Sequence, residues 1–203
     1  MTEQHSADWL GLAGRVCVIT GGGGGIGRAV AVNLARAGAL VAAIDRDEAG
    51  LSRTREELSG TRHVITPCDV ASRDSIVAAC DTIEKALGRC HVLVNAAALL
   101  RPGSLDTLSL AEWNAVLSVN LTGYFLCAQI FGAQMRANKR GSLVHVASIA
   151  GSHAQGRSGA YSVQQGRRHH AVAAARERMG AGRRAQQRRQ PRHGDHADEP
   201  GLL

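Results

Sequence analysis

A doubly wound α/β sheet, parallel strands covered by helices on both faces, is the fold class this sequence predicts, and three observations predict it. Short apolar runs alternate with segments of helical spacing up to about residue 160. Glycines stand where helices of that spacing should end. The composition, 44% hydrophobic with 24 glycines and only 3% aromatics, suits helices packed closely on a sheet. It excludes a wholly disordered chain and disfavours an aromatic-stacking nucleic-acid binder. At 203 residues the chain is one domain with room for a tail.

Taken in order, the strands are read at residues 16–20, 40–45, 63–68, 92–95 and 143–147, each a short apolar run of the kind buried in a parallel sheet. Helical spacing marks residues 26–37, 48–59, 74–87 and a long segment over 110–136. Gly38, Gly60 and Gly88 follow the first three helices. Strands separated by helices of this length specify right-handed βαβ units. No apolar run approaches the ~18 residues of a membrane span, and residues 1–14 are polar without a basic-then-apolar signal pattern. The five cysteines (Cys17, Cys68, Cys80, Cys90, Cys127) are scattered with no CxxC pair. They read as buried thiols of a reducing compartment, so a cytoplasmic location is expected.

Thr20-Gly21-Gly22-Gly23-Gly24-Gly25-Ile26-Gly27 lies directly between the first strand and the first helix. Small residues there let the backbone turn tightly and approach a pyrophosphate, whose charge the N-terminal amides of the helix stabilise. A flexible glycine loop is the plainer alternative. Asp45 ends the second strand, eighteen residues beyond Gly27. A carboxylate there accepts hydrogen bonds from the ribose hydroxyls of an adenosine and repels a 2′-phosphate, favouring NAD over NADP. Arg46 next to it would suit that phosphate, and a solvated strand-end charge is the bland reading of Asp45.

These residues, with others further on, resemble the short-chain dehydrogenase/reductase family. Its TGxxxGxG turn is matched by Thr20, Gly21, Gly25 and Gly27, so that Gly21, Gly24, Gly25, Ile26 and Gly27 are implied to line the cofactor. Its Asp-Val pair beside the adenine is matched by Asp69 and Val70. Its Asn-Asn-Ala-Gly appears as Asn95-Ala96-Ala97-Ala98, keeping the first Asn and the Ala. The Asn of its long fourth helix corresponds to Asn120, the Ser closing its fifth strand to Ser148, and its Tyr to Tyr161, thirteen residues beyond Ser148. The resemblance covers residues 12–163. It implies hydride exchange between a nicotinamide and a small alcohol or ketone substrate, with Tyr161 as general acid/base, Ser148 stabilising the substrate oxygen and Asn120 holding a relay water. It also implies a homo-oligomer.

One family residue is missing. A Lys is expected four residues after the Tyr, where its charge holds the nicotinamide ribose and favours the ionised tyrosine; this chain has Gln165. Bringing an ordinary tyrosine, of pKa about 10, to ionise near neutral pH takes about 4 kcal/mol, which a neutral amide does not supply. As written, the chain is expected to be a very poor catalyst. The texture changes at the same place. Residues 164–203 carry nine arginines against four acids, whereas residues 1–163 are nearly balanced at 15 basic and 13 acidic. The net charge of +7 therefore comes mostly from the tail.

The codons that encode Gln-Gln-Gly-Arg-Arg-His-His-Ala from residue 164, offset by one base, permit Ser-Lys-Gly-Ala-Val-Ile-Thr-Leu and so restore Tyr-Ser-Val-Ser-Lys. The same offset over residues 183–198 permits a Ser-Pro-Gly-Thr-Val segment, at the family's distance from the Tyr. A one-base frameshift near codon 164 is the expectation, leaving residues 1–163 as the dinucleotide-binding and catalytic domain and 164–203 as an out-of-frame tail. The alternatives are a non-catalytic dinucleotide-binding pseudoenzyme or truncated remnant, and nucleic-acid binding by a genuine basic tail. The latter is disfavoured because the tail lacks aromatics and helical charge patterning. His193 and His196 have no companion ligands, so no metal is expected.

Overall fold

The computed structural model describes residues 10–148 together with Ala150, Ala160, Tyr161 and Val163. Five parallel strands form one sheet in the order β3-β2-β1-β4-β5. They are β1 (Val16–Thr20), β2 (Leu40–Asp45), β3 (Val64–Pro67), β4 (Val92–Asn95) and β5 (Ser142–His145). The helices are α1 (Gly25–Arg36), α2 (Glu48–Glu57), α3 (Arg73–Leu87), α4 (Leu110–Leu117) and α5 (Tyr124–Ala137). The doubly wound α/β reading is thereby shown.

Alternation along the central strands sorts their side chains into two cores. Val16, Val18, Ile44 and Leu93 pack with Ile76, Ile83, Phe131 and Met135 of α3 and α5. Cys17, Ile19, Val41 and Val94 pack on the other face with Ala31, Val32 and Leu51 of α1 and α2. Every residue of β1 is buried, as the middle strand of a sheet covered on both faces must be. All five cysteines are buried thiols. Burial pushes Cys80 up to about 11 and Cys17 to about 12, which keeps them protonated and unreactive.

The strand and helix ends depart from the sequence reading in small, explicable ways. α2 ends at Glu57, three residues before Gly60. β3 begins at Val64 because His63 is used otherwise: its Nδ1 accepts the Val41 amide at 3.1 Å. β5 stops at His145 because its partner β4 ends at Asn95, and only the Val146 amide continues the ladder, onto the Asn95 carbonyl at 3.0 Å.

The long helix shows a larger departure. It starts on a capping box in which Ser109 and Glu112 satisfy each other's backbone amides. Between α4 and α5 it widens into a π-helical turn over Ser118–Gly123. Hydropathy did not reveal its character either: over 28 residues, Leu110–Ala137, it is long and apolar enough by composition to cross a membrane, with a mean hydropathy of 1.4 in its most apolar stretch. This corrects the reading that no segment reaches that length. In the structure Cys127, Phe131 and Met135 are buried in the core that α5 shares with α3.

Histidine also supports β1. His91, just before β4, accepts the Val16 amide on Nδ1 at 3.1 Å, which requires a neutral ring. Burial, then the neighbouring Arg15 and Arg140, hold its pKa below 6.5. Because the folded value lies below the unfolded one, this stabilisation is fully present above about pH 6.5 and is lost as pH falls from there through the folded value. We expect urea midpoints to fall more between pH 7 and pH 5 for the wild type than for His91→Asn, which keeps an acceptor without a proton to gain. Equal falls would show that His91 does not carry the pH dependence.

Candidate active site

The sheet order places β1 between β2 and β4, so the chain leaves β1 and β4 for opposite faces, and the crevice between them opens at the carboxyl ends of the strands. A cavity of about 330 Å³ lies there. Four strand ends contribute to it: Gly21, Gly23 and Gly24 after β1, Asp45, Arg46 and Asp47 at β2, Cys68, Asp69 and Val70 after β3, Ala97, Ala98 and Leu99 after β4. Val119, from the π-helical turn, closes the list.

The glycine turn is shaped by close approach. A Cβ on Gly21, whose φ is +72°, would stand 2.7 Å from the Ala97 nitrogen, and one on Gly27 would collide with the Gly21 carbonyl. Only hydrogens fit in either place. Gly24 caps α1, whose first turn holds no acidic residue, so its free amides and dipole are left for an anion. Thr20 ties the turn to the chain beyond β4: its buried hydroxyl oxygen accepts the Ala96 and Ala97 amides, both at 3.1 Å.

Asp45 is held from two sides. Its Oδ2 accepts the Gly23 amide at 3.0 Å and its Oδ1 the Asp47 amide at 3.1 Å. Asp69 accepts the Ala71 amide at 2.9 Å, and its own amide donates to the Ser75 hydroxyl. Asn95 is buried, with Nδ2 3.1 Å from His145 Nδ1 and Oδ1 without a hydrogen-bond partner among the described residues. His145 stacks on Tyr124 at 5.4 Å between centroids, and burial holds its pKa below the usual range.

Of the residues singled out in the sequence, Gly21, Gly24, Asp45, Asp69, Val70 and Ala97 line the cavity together. Gly25 and Gly27 shape the start of α1, where Ile26 is 61% exposed. Asn120 is fully buried in the π-helical turn, its Oδ1 accepting the Leu99 amide at 2.7 Å and its Nδ2 donating to the Leu99 carbonyl at 2.8 Å. That clasp adds a contact the sequence did not indicate. Ser148, three residues past β5, is half-buried and its Oγ accepts the Ala150 amide at 3.2 Å. Tyr161 is half-buried beside the buried Ala160. Among the described residues, those lining the cavity do not include Asn95, Asn120, Ser148 or Tyr161. Gln165 and the arginine-rich tail lie outside the described residues. Sequence reasoning missed Asp47, Cys68 and Val119 as lining residues. Cys68 and Val119 are adjacent to motif positions and Asp47 lies two residues beyond Asp45, and that proximity was the available signal.

A glycine-shaped turn against a helix N-terminus, at the switch point of a parallel sheet, defines a doubly wound α/β protein whose crevice is built to receive a ligand. More narrowly, the chain belongs to the short-chain dehydrogenase family, whose family model matches residues 15–177. It is 38% identical over 151 residues to D-threitol dehydrogenase of Mycolicibacterium smegmatis, a match covering 73% of this chain and 58% of that protein. It is 39% identical over 142 residues to 2,3-dihydro-2,3-dihydroxybenzoate dehydrogenase of Bacillus subtilis, covering 69% of this chain and 54% of that one. The chain thus spans somewhat over half the length of these relatives. Among solved structures it is similar to NAD+-bound xylitol dehydrogenase, with a TM-score of 0.80 at 26% identity over 83% of this chain and 66% of that one. It is similar also to a variant of actinorhodin polyketide ketoreductase with NADPH, with a TM-score of 0.79 at 28% identity over 82% of this chain and 66% of that one.

Removing the Thr20 hydroxyl should leave two amides without their acceptor while barely changing volume. We expect Thr20→Val to cost about 2–4 kcal/mol of stability in urea unfolding, and Thr20→Ser to cost less. Equal losses would show that the methyl, not the hydroxyl, matters.

Proposed function

We propose that the chain is an oxidoreductase that uses NAD, in preference to NADP, to interconvert a secondary alcohol and a ketone in the cytoplasm. The observation that carries the cofactor preference is Asp45, a carboxylate fixed by the Gly23 and Asp47 amides on the wall of the cavity. Held there it accepts from ribose hydroxyls and repels a 2′-phosphate. Arg46, on the same wall, is the residue an NADP preference would use. The residues fit a dinucleotide: the turn is a cradle that Cβ atoms would fill, and the first turn of α1 bears no opposing charge. Gly21, Gly24, Gly25, Ile26 and Gly27 would hold the pyrophosphate side, Asp45 the ribose, Asp69 and Val70 the adenine, and Asn95 and Ala97 the chain after β4 beside it. When bound, the nicotinamide supplies the two-electron donor or acceptor.

The remaining chemistry falls to the chain. Tyr161 moves the proton at the substrate oxygen, and Ser148 donates a hydrogen bond to that oxygen and stabilises charge developing on it. Asn120 holds the relay water and, through Leu99, fixes the segment after β4. Buried unpaired thiols support the reducing compartment. Leu110 and Phe125, exposed on the long helix, offer apolar surface to a homo-oligomer. No nucleic acid or membrane enters this reading.

Gln165 in place of the expected Lys makes the chain as written a slow catalyst. We attribute it to a one-base frameshift near codon 164, with 1–163 as the single catalytic and cofactor-binding domain and 164–203 as an out-of-frame tail. Sequencing the source gene from codon 155 onward tests this directly: an offset restoring Tyr-Ser-Val-Ser-Lys supports it, and the present frame removes it. Gln165 itself favours a second reading, a dinucleotide-binding protein without catalysis.

Two measurements separate these. By fluorescence titration the protein should bind NADH more tightly than NADPH, and Asp45→Ser should weaken NADH by about 10-fold, as the loss of hydrogen bonds to a charged group implies. Gln165→Lys, assayed with NAD over a panel of secondary alcohols, should raise kcat by about 100-fold or more. NADH binding without any gain of turnover would leave the non-catalytic reading standing.

A further inference from the structure

We propose that Arg28 is a positioning residue for the dinucleotide, aiming the donors of the glycine turn at the anion from behind; this rests on reading the cavity as a dinucleotide site. Arg28 is the first residue after the glycine motif, on α1, and none of the chemistry above uses it. Its guanidinium spreads over four partners that do not touch one another in sequence. One Nη donates to the Gly23 carbonyl at 2.6 Å and lies 3.5 Å from the Gly50 carbonyl, Nε donates to the Thr54 hydroxyl oxygen at 3.1 Å, and the other Nη lies 3.5 Å from Glu57. Thr54 is fully buried, and its hydroxyl in turn donates to the Gly22 carbonyl at 2.7 Å.

Two successive carbonyls of the turn are therefore pulled toward α2. The described peptide bonds are all trans, and in a trans peptide the carbonyl and the following N–H point in opposite directions. Holding the Gly22 carbonyl on Thr54 sends the Gly23 amide the other way, where it donates to Asp45 Oδ2 at 3.0 Å. Holding the Gly23 carbonyl on Arg28 likewise sends the Gly24 amide away from α2, and Gly24 lines the cavity. The first peptide thus orients the ribose-binding carboxylate and the second an anion donor. Without a cation on the Gly23 carbonyl nothing else among the described contacts fixes that peptide, and glycines on both sides leave it free to rotate. α2 packs tightly enough to serve as the anchor: a Cβ on Gly50 would collide with the Gly23 carbonyl.

The planar guanidinium matters because it reaches Thr54 and two carbonyls at once, which an ammonium does only in part. The test is NADH titration by fluorescence, run beside urea unfolding on the same full-length proteins. Arg28→Met should weaken NADH by about 10-fold, Arg28→Lys by about 3-fold or less, and Thr54→Val, which frees the Gly22 carbonyl, by several-fold. Urea midpoints should not rank the variants in that order, since a role confined to folding would make affinity follow stability. NADH affinity within twofold of wild type in a cooperatively folded Arg28→Met overturns the proposal, as does an equal loss in Arg28→Lys and Arg28→Met. If Arg28→Met does not fold, Arg28→Lys and Thr54→Val decide: wild-type affinity in both overturns it. A wild-type chain that binds neither NADH nor NADPH removes the nucleotide site itself, and this role with it; binding that the variants leave unchanged removes only the role of Arg28.

Discussion

The hydroxyl of Thr20 is the joint on which the rest of the site depends. It stands at the end of the central strand and accepts the amides of Ala96 and Ala97, so the two strands that diverge at the switch point are joined just where their hydrogen-bond ladder ends. A parallel sheet has no such link by default, since each chain turns away toward its own helix. With the link in place, Gly21 comes so near Ala97 that no side chain fits between them. The crevice, the glycine turn and the segment leading to Leu99 then move as one body. Asn120 extends the same body to the long helix by clasping Leu99 through both of its polar side-chain atoms.

Around that joint, side chains hold the strand beginnings through their ring nitrogens, and charged residues gather at the strand ends. The strand beginnings are held by imidazole nitrogens that accept their amides, His91 on Val16 and His63 on Val41. The strand ends carry Asp45, Arg46, Asp47 and Asp69 to the cavity wall. This polarity along the sheet suits a site for a ligand bearing both hydroxyls and phosphates.

The fold was legible because its signals are local. Five apolar runs, the helical spacing between them and the glycines after the helices are each read within a few residues, and the structure has all five strands in the expected places. The cavity lining was legible to the extent that motifs name it, as Gly21, Asp45, Asp69 and Ala97 show. What escaped depends on groups far apart in the chain. Nothing near Thr54 announces that it will meet Gly22, thirty-two residues away, and nothing near His63 that its ring will cap β2. The π-helical turn escaped for a different reason: its residues, Ser118–Gly123, keep the apolar texture of the helices they join, and the partner of its Asn120 is the Leu99 backbone, twenty-one residues away.

That turn has a consequence for the register of everything after it. Each residue of an α-helix advances the side chains by about 100°, so a widened turn resets the angular phase between α4 and α5. α4 presents Val116 to the interior and α5 presents Cys127, Phe131 and Met135. Closing the turn to α-geometry with all its residues kept would swing that second set by most of ~100° away from α3, whereas deleting one residue between Leu117 and Tyr124 would allow α-geometry with α5 near its present phase. The widened turn thus takes up length in the middle of the long helix while the buried residues of both halves stay turned to the interior.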